Sequence, residues 1–365
     1  MLQGRFASEA DNDSVLQFTA ATPWHTLLSF LSHNSMACLQ PLFLCGADVR
    51  RALPMREAIE EMKRVFAALS SGELVLPQRA HLDVPEHRGV LLLMPCYWAS
   101  RNALSLKTIS VFDANPEQGL PRIQALVTLF DASTGQPLAI MDGSAVTALR
   151  TGAASGAATD LLARTGATRA GILGAGVQAR AQLEAVFAVR ALREVRVFDV
   201  TPEAAAAFAR DMSATLGIEV QAVTSAAEAV RGADIVCAAS SSRTPVFADA
   251  DLRAGAHINA IGSYQPTVQE IPTETILRAR VVVDHRQSAL AETGDLLIPI
   301  AEGRYAADRI AAELGEVVLG KKPGRTCDEE ITLFKSVGVA AQDLAAASRI
   351  LGEARRLGLG TTLPL

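Results

Sequence analysis

The segment that most restricts the fold is Arg169-Ala-Gly-Ile-Leu-Gly174-Ala-Gly176-Val-Gln-Ala179. A short apolar run, long enough for a strand, passes through two glycines into helix-forming residues. Gly174 permits a tight turn and Gly176 lets backbone approach a pyrophosphate. Ala179 lets helix and sheet pack closely, and the first N–H groups of the helix are left for anionic oxygens. Such a turn is weak evidence by itself, so its surroundings decide.

Those surroundings alternate. Apolar strand candidates fall at 169–173, 194–199, 218–223, 234–239, 257–262 and 280–284, with helical patterns at 177–191, 203–216, 225–231 and 248–253. Six strands with crossover helices predict an α/β fold, a Rossmann-type doubly wound parallel sheet. Residues 307–319 and 339–357 read as closing helices. In this context Gly174, Gly176, Val177 and Gln178 are the expected cradle of a dinucleotide. The second strand ends at Asp199, 25 positions after Gly174. A carboxylate there accepts hydrogen bonds from ribose hydroxyls and repels a 2′-phosphate, and no Arg follows it directly. NAD(H) is favoured and NADP(H) stays possible. Ser240 and Ser241 follow the fourth strand, and Gly262-Ser263 the fifth. The carboxyl ends of parallel strands line a ligand crevice, although ordinary loop polarity explains such serines as well.

Upstream the rhythm is different. Pro54 stands at a helix start, Met55, Ile59, Met62 and Phe66 follow at helical spacing, and Gly72 closes the helix. The runs GVLLLMP from Gly89, ALSLKTISVF from Ala103, IQALVTLF from Ile123 and QPLAIM from Gln136 read as strands. The turn-rich stretch Asp131–Gly135 makes the last two a hairpin. Mostly antiparallel strands with a helix predict an α+β domain. An Ala-rich helix from Ser144, its expected N-cap, to Arg164 then leads into the alternating region. The expected division is residues 36–150 with 336–365 as one domain and 151–335 as the other. Residues 1–35 show no period and no basic start before an apolar core. They read as a flexible tail or as an extension upstream of a start at Met36.

Composition narrows the class of function. Of 365 residues, 49% are hydrophobic and 20% charged, which excludes global disorder. Net charge is 34 − 39 = −5, and no Lys/Arg run appears. Non-specific binding to nucleic acid or to an anionic membrane is not expected. No apolar run reaches the ~18–20 residues of a spanning helix. Five cysteines without a CxxC suggest neither a disulfide framework nor a thiolate zinc site. They fit free thiols of a reducing, cytoplasmic setting, and no metal is expected.

Taken in order, several stretches resemble the ornithine cyclodeaminase/mu-crystallin family. They are Met141-Asp-Gly, Thr147-Ala-Leu-Arg-Thr151, Leu173-Gly-Ala-Gly-Val-Gln178, His257-Ile-Asn-Ala-Ile-Gly262, Glu313-Leu-Gly-Glu-Val317 and Phe334-Lys-Ser-Val-Gly338, and the resemblance spans about residues 45–350. It implies a homodimer with an N-terminal substrate and dimerisation domain joined by C-terminal residues. It implies a central Rossmann domain for a nicotinamide cofactor and hydride transfer at the α-carbon of a small amino or imino acid. Arg79, Lys107 and Arg150 match positions that hold the substrate carboxylate in the family, and Thr151 is expected near the cofactor phosphates. An Arg grips a carboxylate with two parallel hydrogen bonds. A Lys inside an alternating apolar strand is either an outward, solvated residue or a buried one, whose pKa burial lowers into the range of a proton donor.

The departures from the family pattern point to the reaction. An Asp follows the fifth-strand Gly in cyclodeaminases of the family, but here that residue is Ser263. An acidic position expected just before Met94-Pro95 is apolar, with Leu91, Leu92 and Leu93 preceding the pair. A hydroxyl without a partner is no base, and the side-chain ammonium of ornithine would lack both counter-charges. The pattern resembles the ketimine-reductase branch. The expected reaction is NAD(P)H-dependent reduction of a cyclic ketimine carboxylate, Δ1-pyrroline-2-carboxylate to L-proline. Lys107, or water positioned by Ser263, would supply the proton. Ornithine cyclodeaminase, alanine dehydrogenase and a non-catalytic binder of NAD(P)H with a small ligand remain as alternatives.

Overall fold

The two rhythms of the sequence become two eight-stranded sheets in the computed structural model, which describes residues 39–364. The tail expected over residues 1–35 lies outside the described residues. The first sheet contains β1 (Leu42–Leu44), β2 (Leu74–Val75), β3 (Ala80–Val84), β4 (Gly89–Trp98), β5 (Ala103–Phe112), β6 (Ile123–Asp131) and β7 (Pro137–Asp142). The second contains β8 (Arg169–Leu173), β9 (Glu194–Phe198), β10 (Val220–Ala222), β11 (Ile235–Ala238), β12 (His257–Ala260), β13 (Arg280–Val283), β14 (Ala312–Glu313) and β15 (Thr332–Lys335). The last strand, β16 (Thr361–Thr362), returns to the first sheet beside β1.

The first sheet runs β16-β1-β7-β6-β5-β4-β2, with β3 also on β4. Its pairs are antiparallel except β1 with β7. Strict alternation along β4 to β6 buries Met94, Cys96, Trp98, Ser105, Lys107, Val127 and Leu129 on one face. Two long helices cover that face, α2 (Gly143–Leu162) and, from the chain's end, the helix Ala340–Leu357, and α1 (Met55–Ser70) packs on both of them. The hairpin expected at Asp131 forms because Oδ1 of Asp131 accepts the N–H groups of Ser133 and Thr134 at 2.8 and 3.0 Å. Helix α2 starts one residue before the expected cap Ser144. Asp142 caps it, accepting from Ser144 N and Ala145 N at 2.9 and 3.0 Å. A carboxylate there meets two orphan donors and the helix dipole together.

The second sheet is parallel throughout, in the order β10-β9-β8-β11-β12-β15-β13-β14. All six expected strands form. Strands β11 and β12 are buried along their whole length, as an inner parallel strand covered on both faces must be. The long helices here are α3 (Val177–Val189) and α4 (Pro202–Leu216). Two expectations are corrected. Residues 248–253 form only a 3-10 turn at Asp249–Asp251. Residues 307–319 break into a turn, the edge strand β14 paired with β13, and the short helix Leu314–Val318. An eighth strand, β15, enters between β12 and β13. After it the chain crosses at Ser336–Gly338 and enters α5 (Ala340–Leu357), which packs on β4 and β5. That crossing carries the chain from the end of the second sheet onto the buried face of the first. Among the described residues no helix is long and apolar enough to cross a membrane.

Candidate active site

Parity along β5 turns Lys107 inward, where it is 1% exposed. Met94 faces it from β4 and Val127 from β6. Its Nζ lies 2.7 Å from Oδ2 of Asp343, in the first turn of α5. The other oxygen, Oδ1, accepts from Nε of Arg150 on α2 at 3.0 Å, and Nη1 of Arg150 donates to Gln342 Oε1 at 2.6 Å. Burial draws the Lys107 ammonium down to about 8, with Arg150 and Arg79 pushing the same way and Asp343 opposing. Burial by itself raises the Asp343 carboxyl, but Arg150 and Lys107 together hold it below the usual range.

Arg79 reaches the same place from the loop before β3. Its Nη2 pairs with Glu292 Oε2 at 2.9 Å and donates to the carbonyl of Gly338. Burial pushes the Glu292 carboxyl up, against the pull of Arg79. Asp284, just past β13, fixes the crossing segment: its Oδ2 accepts Ser336 Oγ, Val337 N and Gly338 N at 2.7, 3.0 and 2.8 Å. A pocket opens beside Arg79, lined among others by Leu76, Met94, His285, Glu292 and Val339. Its lining mixes apolar Leu76, Met94 and Val339 with polar Arg79, His285 and Glu292, and Lys107 and Arg150 lie behind it rather than on its surface. The three expected cations therefore converge at one buried place.

The glycine turn forms a second corner. Gly174 has φ +99°, and a Cβ on it would sit 2.7 Å from the Ala239 carbonyl. Gly176 begins α3 with no side chain capping the free N–H groups, and Val177 beside it is 69% exposed. Oε1 of Gln178 is buried without a hydrogen-bond partner. Asp199 leans on the turn, accepting Ala175 N at 2.8 Å on one oxygen and Thr201 N at 2.9 Å on the other. Free amide donors, open space and a carboxylate at the end of β9 fit a dinucleotide. Thr151 is buried on α2, its carbonyl accepting from Gln182 Nε2 at 3.2 Å.

The strand-end loops are tied by a residue that sequence reasoning missed. Glu270 accepts Ser240 N and Ser240 Oγ, both at 2.7 Å, on one oxygen and Gly262 N at 2.8 Å on the other. Ser241 is exposed. Ser263 is fully buried, and its hydroxyl meets the Val268 carbonyl and Thr293 Oγ1 rather than the Lys107 cluster. Behind Glu270, Asp295 accepts the Glu270 and Ile271 N–H groups and pairs with buried Lys335 at 2.8 Å. Asp343, Asp284 and Asp295 were likewise missed. For Asp343 a signal existed, a lone Gln-Asp pair within Ala340-Ala-Gln-Asp-Leu-Ala-Ala-Ala.

The model of the ornithine cyclodeaminase/mu-crystallin family matches residues 40–356. A Δ1-pyrroline-2-carboxylate reductase of Bacillus cereus is 39% identical over 320 residues, 87% of this chain and 98% of that protein. The ketimine reductase mu-crystallin of Mus musculus is 37% identical over 314 residues, 85% and 96% of the two chains. The solved structure of Thermococcus litoralis Δ1-pyrroline-2-carboxylate reductase in complex with NADH and L-proline is 42% identical. It superposes with a TM-score of 0.86 over 88% of this chain and 100% of that one.

Proposed function

The chain belongs to the ornithine cyclodeaminase/mu-crystallin family, and from that premise we propose that it reduces a cyclic ketimine carboxylate with NAD(P)H, converting Δ1-pyrroline-2-carboxylate to L-proline. The observation that carries this reading is the convergence of Arg79, Lys107 and Arg150 beside a pocket to which Leu76, Met94 and Val339 contribute apolar surface. Such a site grips one carboxylate and leaves a neutral ring against Met94, Leu76 and Val339. The reductase relatives, one of them solved with NADH and L-proline, support the same substrate class.

Arg79 and Arg150 hold the carboxylate and so fix the α-carbon. When bound, NADH would supply the hydride that the imine carbon receives. Lys107 gives its proton to the imine nitrogen, and its pKa of about 8 lets it act near neutral pH. The proton is assigned to Lys107 rather than to water on Ser263, because the Ser263 hydroxyl is engaged by Val268 and Thr293. Gly174, Gly176, Val177, Gln178 and Thr151 would hold the pyrophosphate. Asp199 would hold the ribose, which favours NAD(H) over NADP(H). Ser240, Ser241 and Gly262 would flank the nicotinamide. Cyclodeaminase chemistry is disfavoured because the residue that follows Gly262 is Ser263, a hydroxyl where cyclodeaminases of the family carry an acid.

In this reading the first sheet with α5 is the substrate and dimerisation domain, and the second sheet is the cofactor domain. The uncovered face of the first sheet supports a homodimer. Leu93, Thr108 and Leu126 form one cross-strand row, and Leu93, Leu126 and nearby Leu82 are all exposed. Light scattering on a Leu126→Glu variant tests this, a dimer unchanged by the charge counting against it. Free Cys45, Cys96, Cys237 and Cys327 fit a cytoplasmic setting.

The activity itself is tested by loss of NADH absorbance with Δ1-pyrroline-2-carboxylate, its six-membered analogue, and pyruvate with ammonia. Oxidation with a cyclic imine is expected. Ammonia release from ornithine with NAD+, and no turnover of either imine, would overturn the reading.

A further inference from the structure

Lys107 and Arg150 come from different elements and end on one carboxylate. Lys107 is on β5, Arg150 on α2, and Asp343 opens α5 between them, 2.7 Å from one and 3.0 Å from the other. All three side chains are nearly inaccessible to water. We propose that Asp343 is a positioning residue that keeps Lys107 charged in this buried site.

The surroundings of Lys107 leave that task to Asp343. Across the strand on β4 stands Met94, which is apolar. Arg150 on α2 and Arg79 before β3 are both cations and both favour the neutral amine. Cys96, also on β4, is pushed up to about 12 and remains a neutral thiol. Burial acts in the same direction as the arginines. Among the described residues Asp343 is the anion that opposes these influences.

Its second contact gives the arrangement a further property. Oδ1 is held by Arg150 while Oδ2 faces Lys107. When Lys107 surrenders its proton, the carboxylate keeps Arg150 as counter-ion. No unpaired charge is left buried, a state that is strongly unfavourable. Gln342, one residue earlier on the same helix turn, accepts from Nη1 of Arg150 and keeps the guanidinium in place.

The inference rests on Lys107 as proton donor, but its test does not depend on activity. The chain has five lysines, Lys63, Lys107, Lys321, Lys322 and Lys335, so the ζ-15N signals of the full-length protein are few enough to follow by NMR. In Asp343→Asn, Lys107 is expected to titrate at least about one pH unit below the natural protein, and in Asp343→Glu within about half a unit of it. The alkaline limb of kcat/KM is expected to follow. An unmoved Lys107 titration in Asp343→Asn overturns the proposal. A titration that moves while the rate profile stays put supports the hold of Asp343 on Lys107 and removes Lys107 as the proton donor. Should Asp343→Asn not fold, Arg150→Met gives the opposite test. It leaves Asp343 to Lys107 alone, so the titration should rise, and one that stays or falls overturns the proposal.

Discussion

Gly338 occupies the space that a side chain would need to avoid Arg150: a Cβ built on it lies 2.5 Å from Nη1 of that arginine. Its φ of +76° is also one that side chains disfavour. Its N–H is held by Asp284, and its carbonyl accepts from Arg79. One glycine thus joins the two arginines assigned to the substrate carboxylate. Gly338→Ala is expected to displace Arg150, with kcat/KM falling on the order of 10- to 100-fold, mainly through KM. The left-handed backbone adds a stability loss on the order of 1–3 kcal/mol. Steady-state kinetics and urea unfolding check both. A normal KM in a destabilised variant would detach Gly338 from substrate grip.

Met94 faces Lys107 across the β4–β5 ladder and lines the pocket beside Arg79. In the proposed reaction, an apolar side chain beside Lys107 sets the room left for the ring. Met94→Ala enlarges that room. The preference for a six-membered over a five-membered ketimine is expected to rise on the order of tenfold, the scale of one methylene in an apolar pocket. Met94 is 4% exposed, so truncation should also cost roughly 2–5 kcal/mol. The ratio of kcat/KM for the two imines is the readout, and a constant ratio would place the ring elsewhere.

The contrast between Lys107 and Asp343 shows what was legible. Lys107 sits in a ten-residue alternating strand, and a charge breaking that alternation stands out locally. Asp343 sits in an alanine-rich helix, where an acid in the first turn has an ordinary explanation as a dipole partner. Its meaning lies in Arg150, 193 positions away. The second sheet shows the same division. Strands β8 to β13 were readable because helices, or between β11 and β12 a polar loop, separate their apolar runs. Strand β15 was not, because Thr-Leu-Phe-Lys holds only two apolar residues and ends in a Lys. Only the buried partner Asp295 explains that residue. Glu270 left no pattern either, since two of its three donors are backbone N–H groups.

His257 predicts how stability responds to acid. It is buried on β12 between Thr332 Oγ1 at 3.0 Å and Asn259 Oδ1 at 3.2 Å, and burial lowers its pKa to about 3. In the unfolded chain the imidazole titrates near the ordinary value of about 6.5. Between these values the unfolded state binds the extra proton, so stability falls as pH falls below about 6.5, at up to about 1.4 kcal/mol per pH unit from this group. Urea unfolding at pH 7 and pH 5 measures the slope. His257→Asn, which cannot titrate, should flatten it even if it lowers stability at pH 7. An equal slope in the variant would assign the acid sensitivity to other groups.

Asp199 makes the cofactor preference testable. Its carboxylate touches the glycine turn through Ala175 N, and the next residue, Val200, is 88% exposed and offers no cation. A 2′-phosphate brought to this corner meets a like charge and no guanidinium. Asp199→Asn keeps an oxygen for the Ala175 N–H and removes the charge. Its NADPH-to-NADH ratio of kcat/KM is expected to rise on the order of tenfold, equivalent to about 1.4 kcal/mol. Adding Val200→Arg supplies a partner for the phosphate and should raise the ratio again. Alanine is the poorer test, because it also removes the brace on the turn and weakens both cofactors together. A ratio unmoved in both the single and the double variant would mean that the ribose end of the cofactor does not lie against Asp199.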